Sequence, residues 1–195
     1  MYVIVGLGNP GTEYEKTRHN TGRIVLSKFI KDHIDEELAL SKKHKALIGE
    51  GKIEKEKVTV VFPETFMNKS GTSVAPFITS KKKAEQLIVV YDDLDLGLGR
   101  IRISYDRGSG GHKGLESIIR AVKTTAFVRI RVGVSPSTPS GKVKKPNGGA
   151  AVEKFILGAF SPKETEVLKK VSKEVAEAIL TIMGDGKDVA MTTFN

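Results

Sequence analysis

Cysteine is absent from the 195 residues, which excludes a disulfide framework and a thiolate zinc site and agrees with a reducing compartment. No apolar run approaches the roughly 20 residues that a membrane-crossing helix needs, and no basic stretch leads into an apolar one at the start. A soluble, unexported, cytoplasmic protein is expected, with no membrane among its partners. The phosphate-loop motif with its lysine is missing, as is the G-x-S-x-G elbow of a serine nucleophile. His19, His33, His44 and His112 show no zinc-binding spacing, and no internal repeat is visible. Neither a cofactor nor a metal is expected.

Positive charge is present in excess, with 32 lysines and arginines against 23 acids, a net charge of +9 and a pI near 9.6. Such a balance favours an anionic partner, and nucleic acid is the commonest one for a basic domain. Taken one by one, the lysines at 42, 43, 45, 52, 55, 57 and 81–83 read as solvated strand edges and a helix or turn surface.

The length fits one domain, residues 1–195, with a substantial core. Tyr2 to Val5 reads as a buried strand, and Ile24, Leu26, Phe29 and Ile30 mark a first helix ending before Asp35. Ala46 to Glu50 and Val58 to Phe62 read as strands of a hairpin around the charged segment Gly51 to Lys57. Ser70 to Ile78 is expected to be a helix, Leu87 to Tyr91 a buried strand, and Arg100 to Ser104 an alternating strand with one basic face. Gly114 to Val122 looks helical, and Val128 to Val134 is a strand with Arg129 and Arg131 on one face. Ser135 to Gly149, rich in Pro, Ser, Gly and Lys, is expected to be a mobile loop. Ser161-Pro162-Lys163-Glu164 carries an N-cap, a first-turn proline and a capping-box acid. The helix it opens buries Val167, Leu168, Val171, Val175, Ile179 and Ile182 and stops at Gly184. The whole predicts an α/β fold, a mixed, mostly parallel twisted sheet flanked by helices.

Gly6, Gly8 and Gly11 satisfy the G-x-G-x-x-G dinucleotide pattern, but Pro10 interrupts it and about ten polar residues precede the apolar stripe at Ile24. Glycines that let backbone approach another group explain the pattern better, and a plain turn remains open for Gly6 and Gly8.

His19 lies in the polar stretch after the first strand, where a histidine is free to act as a base near neutral pH. It needs an acceptor on its other ring nitrogen, and Asp92, read as the first residue beyond a central strand, is the prime candidate. Asn9 and Asn68 each offer a donor and an acceptor without charge, suited to a peptide-like substrate. Taken singly, each of these residues also fits a solvated loop or turn. Asp92, Asp93 and Asp95 together also suit magnesium, though no phosphate-loop lysine precedes them. Gly108 to Gly114 permits close backbone approach at a helix start, with His112 either functional or packed.

Six stretches, Val5 to Gly11, Thr17 to Gly22, Pro63 to Gly71, Tyr91 to Leu96, Gly110 to Leu115 and Arg129 to Gly133, resemble the bacterial peptidyl-tRNA hydrolase family in order and spacing. The resemblance implies a carboxylic ester hydrolase that frees tRNA from a peptide or N-blocked amino acid, with peptidyl-tRNA held by its acceptor stem and 3′ end. It implies that His19 activates water, that Asp92 supports it, and that Asn9 senses the acylated amine. Asn68 matches a substrate-holding position, and Tyr14 and Phe66 match positions bordering the tRNA 3′ end and peptide. Arg102, Arg129 and Arg131 match a basic region facing the acceptor stem. Lys113 stands where the family usually has asparagine, which keeps a donor, loses an acceptor and adds charge. The loop at about 135–149 is similar in place to a lid, and a monomer is implied. A non-catalytic RNA-binding relative of the same fold is the alternative.

Overall fold

Val3, Ile4 and Val5 give a strand whose two faces are both apolar, as a central strand covered on both sides requires. The computed structural model describes residues 1–35 and 37–195 and places this strand in the middle of a seven-stranded sheet. In chain order the elements are β1 (Tyr2–Gly6), α1 (Thr21–Val25), α2 (Ser27–His33), β2 (Ala39–Ser41), β3 (Ala46–Ile53), β4 (Glu56–Pro63), α3 (Gly71–Val74) and α4 (Lys81–Ala84). There follow β5 (Leu87–Gly97), β6 (Ile101–Tyr105), α5 (Lys113–Val122), β7 (Val128–Ser135), α6 (Gly149–Ile156), α7 (Pro162–Gly184) and α8 (Lys187–Phe194). Single 3-10 turns occur at Arg18–Asn20, Met67–Lys69 and Ala75–Phe77.

The strand order is β2-β3-β4-β1-β5-β7-β6. The four central strands run parallel, while β2, β3 and β6 pair antiparallel with their neighbours. The expected mixed sheet with a parallel centre is therefore what forms. Alternation along the strands feeds two cores. Ile4, Val60, Ile88 and Ile130 meet Val25, Phe29 and the α7 stripe from Leu168 to Ile182 on one face. Val3, Val5, Val61 and Val89 meet Val74, Leu115 and Ile118 on the other. Each fully buried aliphatic side chain contributes about 1.5–3 kcal/mol.

Several boundaries depart from the pattern-based expectation. The first helix begins at Thr21 rather than Ile24 and breaks at Leu26 into α1 and α2. The charged hairpin is tighter than its composition implies, with strands running to Ile53 and from Glu56. The stretch from Ser70 to Ile78 is not one helix: α3 stops at Val74 and a 3-10 turn containing Pro76 follows, because proline supplies no helical N–H. The segment after Pro136 contains a small hairpin, with Ser137 bridged to Val143, before α6 begins. β2, α6 and α8 are too short or too weakly patterned to have been anticipated. The capping box of α7 forms as read: Ser161 Oγ accepts from the Glu164 N–H at 3.4 Å, and Glu164 Oε2 accepts from the Ser161 N–H at 2.7 Å.

Strand β5 requires the largest correction. Asp92 is not the first residue of a loop; pairing with β7 continues through Asp92↔Val132 and Asp93↔Gly133 before a bulge ending at Gly97↔Ser135. Gly133 makes this possible, since a Cβ there would lie 2.1 Å from the Gly97 carbonyl oxygen. At the opposite sheet edge from β2, the Asn195 side chain accepts from the Ile103 N–H of β6 at 2.7 Å and donates to its carbonyl at 3.0 Å.

Candidate active site

The carboxyl ends of β1, β4 and β5 open into one cleft of about 1470 Å³. Open parallel sheets place their sites at such ends. Asn9, Tyr14, His19, Phe66, Asn68, Asp92, Lys113 and Arg131 all line it, so every residue singled out in the sequence is brought to the same place.

The 3-10 turn that carries His19 is pressed against the sheet by α1. Gly22 allows this approach, because a Cβ on it would stand 2.2 Å from the Val90 carbonyl oxygen. His19 Nδ1 then lies 2.9 Å and 3.1 Å from the two oxygens of Asp92. Asp92 is 4% exposed and receives a second histidine, with His112 Nε2 at 3.1 Å from Oδ1. His112 caps α5: its Nδ1 accepts from the N–H groups of Gly114 and Leu115. An accepting Nδ1 puts the His112 proton on Nε2, where it donates to Asp92. An ionised Asp92 likewise calls for the proton on His19 Nδ1, which leaves His19 Nε2 as a lone-pair base.

The electrostatics agree with this assignment. Burial opposes charge on the His19 ring, but the charge and hydrogen bond of Asp92 outweigh it and raise the pKa above the ordinary value of 6.5, with Lys113 acting in the other direction. Burial also penalises the Asp92 carboxylate, yet the two histidines hold its pKa well below the usual carboxylate range.

Asn9 is fixed by its neighbours. Its backbone N–H donates to Asn20 Oδ1 at 2.8 Å, and its carbonyl accepts from Asn20 Nδ2 at 2.9 Å. Its own Oδ1 accepts from the Met67 N–H at 2.9 Å. With that oxygen engaged, the group left to face the cleft is the Nδ2 donor. Arg23 braces the same loop, donating to the carbonyls of Gly8 and Pro63 and pairing with Glu64 at 2.9 Å. Asn68 and Phe66 stand exposed on the 3-10 turn after β4 and the residue before it, Phe66 at 58%.

The acidic run does not converge. Asp92 serves the histidines, Asp93 accepts from Arg131 Nε at 2.6 Å, and Asp95 pairs with Lys145 at 2.5 Å. Among the described residues, the metal-like grouping is His19, Asp92 and His112, and their donors already answer one another. Of the basic strand residues, Arg129 and Arg131 both border the cleft, but Arg129 is fully buried over the Phe127 ring at 4.1 Å whereas Arg131 is partly exposed. Arg129 therefore does not offer the phosphate-facing charge expected of its strand face. Sequence reasoning missed Asn20, Arg23 and the proton-fixing role of His112. Asn20 and Arg23 lie in the polar stretch already in view, but their partners are set only by the fold.

The family model described as peptidyl-tRNA hydrolase matches residues 3–195. The peptidyl-tRNA hydrolase of Caldanaerobacter subterraneus is 42% identical over 196 residues, covering the whole of both chains. That of Carboxydothermus hydrogenoformans is 40% identical over all of this chain and 98% of its own. Among solved structures, the peptidyl-tRNA hydrolase of Acinetobacter baumannii is similar with a TM-score of 0.86 at 30% identity, covering all of this chain and 94% of that one.

Proposed function

Since the chain belongs to the peptidyl-tRNA hydrolase family and is a hydrolase of the ester bond in peptidyl-tRNA, we propose that His19 is its base and Asp92 the group that holds that base. The observation that carries this is the buried His19 Nδ1 to Asp92 contact, which leaves Nε2 free at the cleft. Nε2 takes a proton from water as the oxygen adds to the ester carbonyl. The imidazolium that results is stabilised by the adjacent carboxylate and returns the proton to the departing ribose oxygen. His112 supplies a hydrogen bond that keeps Asp92 ionised.

Asn9 reads the peptide. Its Nδ2 donor suits the carbonyl oxygen of an N-acylated residue, whereas a free α-ammonium has only donors to offer and meets a donor. This explains how an aminoacyl ester with an unblocked amine is spared. Asn68, Tyr14 and Phe66 border the peptide and the tRNA 3′ end. Lys113 and Arg131 lie where RNA phosphate approaches, Arg131 with its charge already shared with Asp93. Residues 135–149 act as a lid: Lys145, Pro146 and Asn147 line the cleft, and the Lys145–Asp95 pair holds them there. No helix among the described residues is long and apolar enough to cross a membrane. Separately, a cytoplasmic monomer is the state proposed for the protein.

Single-turnover cleavage of N-acetylaminoacyl-tRNA tests the assignment. The unsubstituted protein should release the acyl group, and His19→Ala should lose release while keeping tRNA affinity. Retained cleavage by His19→Ala would refute the assignment of the base. A parent protein that binds tRNA without cleaving would favour the non-catalytic RNA-binding alternative.

A further inference from the structure

Arg18 precedes the catalytic histidine, yet its side chain serves the junction of α6 and α7 rather than the cleft. Nη1 donates to the carbonyls of Gly158 and Ala159 at 3.2 and 3.1 Å. Nη2 donates to both oxygens of Glu164 at 3.0 and 3.2 Å. The guanidinium lies over the rings of Phe155, at 4.5 Å, and Phe160, at 5.2 Å. The backbone repeats the connection: the Arg18 N–H donates to Gly158, the Phe160 N–H to Lys16, and Thr17 bridges to Ala159. On its other side, the Arg18 carbonyl accepts from Thr21 Oγ1 at the start of α1.

The turn carrying His19 is thus fastened to two bodies. One is the sheet, through Asp92. The other is the end of α6, a helix whose Val152 and Ile156 line the cleft and whose Phe155 lies beneath the Arg18 guanidinium. A planar fork that makes four hydrogen bonds and stacks on a ring cannot be reproduced by lysine. Nothing in the hydrolytic chemistry itself uses this group.

We propose that Arg18 is a positioning residue that couples the seating of α6, which lines the cleft with Val152 and Ile156, to the placement of the His19 ring. This rests on the hydrolase reading for its substrate and on the Arg18 contacts for its mechanism. While α6 stays seated, the clamp keeps the histidine turn in register with Asp92. When the clamp is weakened, the ring loses its alignment while the cleft and the RNA-binding surface persist.

Glu164→Gln is the selective variant, since glutamine can still accept from the Ser161 N–H and preserve the capping box of α7. It should lower kcat per folded molecule roughly 10-fold, and Arg18→Gln roughly 100-fold, as small misplacements of a reacting group do. KM and tRNA affinity should stay at parental values. The His19 ring titration, followed by NMR, should move to lower pH in both variants as Asp92 is held less closely. A parental kcat in both variants, a loss confined to KM, or an unmoved His19 titration would overturn the proposal. If Arg18→Gln does not fold, Glu164→Gln decides alone. If the parent fails to cleave the ester, the hydrolase reading falls, and the His19 titration still decides the role of Arg18.

Discussion

Asp92 accepts from two ring N–H groups, so its replacement by asparagine is not a neutral exchange. The amide offers one oxygen and one donor, and His112 is committed to donating by its cap of α5. His19 must then accept at Nδ1 and carry its proton on Nε2, the wrong nitrogen for a base. Asp92→Asn should reduce kcat/KM by roughly 10²- to 10⁴-fold, the usual worth of a positioned base, as measured by single-turnover hydrolysis. In the parent, activity requires neutral His19, and its pKa is raised. The acid limb of kcat/KM should therefore have its midpoint above pH 6.5, and a midpoint below that value would contradict the Asp92 contact. Stability runs the other way for this group: the part due to charged His19 is present below 6.5 and disappears as pH rises through the folded value. For Asp92, whose pKa is depressed, the contribution is present above the unfolded value of about 3.9 and is lost as acid takes pH down through the folded value.

Strand β5 places the carboxylate, and β7 holds β5. Gly133→Ala would set a methyl 2.1 Å from the Gly97 carbonyl oxygen and force the two strands apart beside Asp92. Denaturant melts should show a loss of about 1–3 kcal/mol, the usual cost of overpacking. Hydrolysis should weaken further than the unfolded fraction explains. The apolar centre of β5 was legible from Leu87 to Tyr91, but its polar continuation was not, because Asp92 and Asp93 are strand residues only through tertiary partners. Arg131 balances Asp93, and the two histidines satisfy Asp92. The same holds for α6, an eight-residue helix whose Phe155 lies under the Arg18 guanidinium. By contrast, α7 announced itself completely: a capping box, a first-turn proline and a periodic stripe are local signals, and the fold agrees with them. His19, Asp92, Asn9 and Asn68 were visible as residue types at strand ends. That Asn9 presents its donor, and that Arg129 is buried at the cleft wall, depended on contacts 58 residues away at Met67 and on the Phe127 ring.

At the scale of the molecule, the net charge of +9 sets how strongly an RNA is held and how steeply salt weakens that hold. Not all cations contribute equally. Arg131 has Asp93 as an internal counterion, whereas Arg102 borders the same cleft, is exposed and has no ion-pair partner among the described residues. Arg102→Ala should thus lower the slope of log affinity against log salt by about 1, and Arg131→Ala by less, as tRNA titrations at several salt concentrations would reveal. Equal slopes for the two variants would remove the distinction. The last strand in the sheet has a further effect on the molecule as a whole. β6 would present the free N–H and C=O of Ile103 to any passing chain, and the carboxamide of Asn195 occupies both. One side chain thereby does what a neighbouring strand would do and denies that edge to other copies. Asn195 also lines the cleft, but its hold on the edge is a separate matter: Asn195→Ala should bare the Ile103 N–H and C=O and hasten aggregation on gentle heating, read by light scattering.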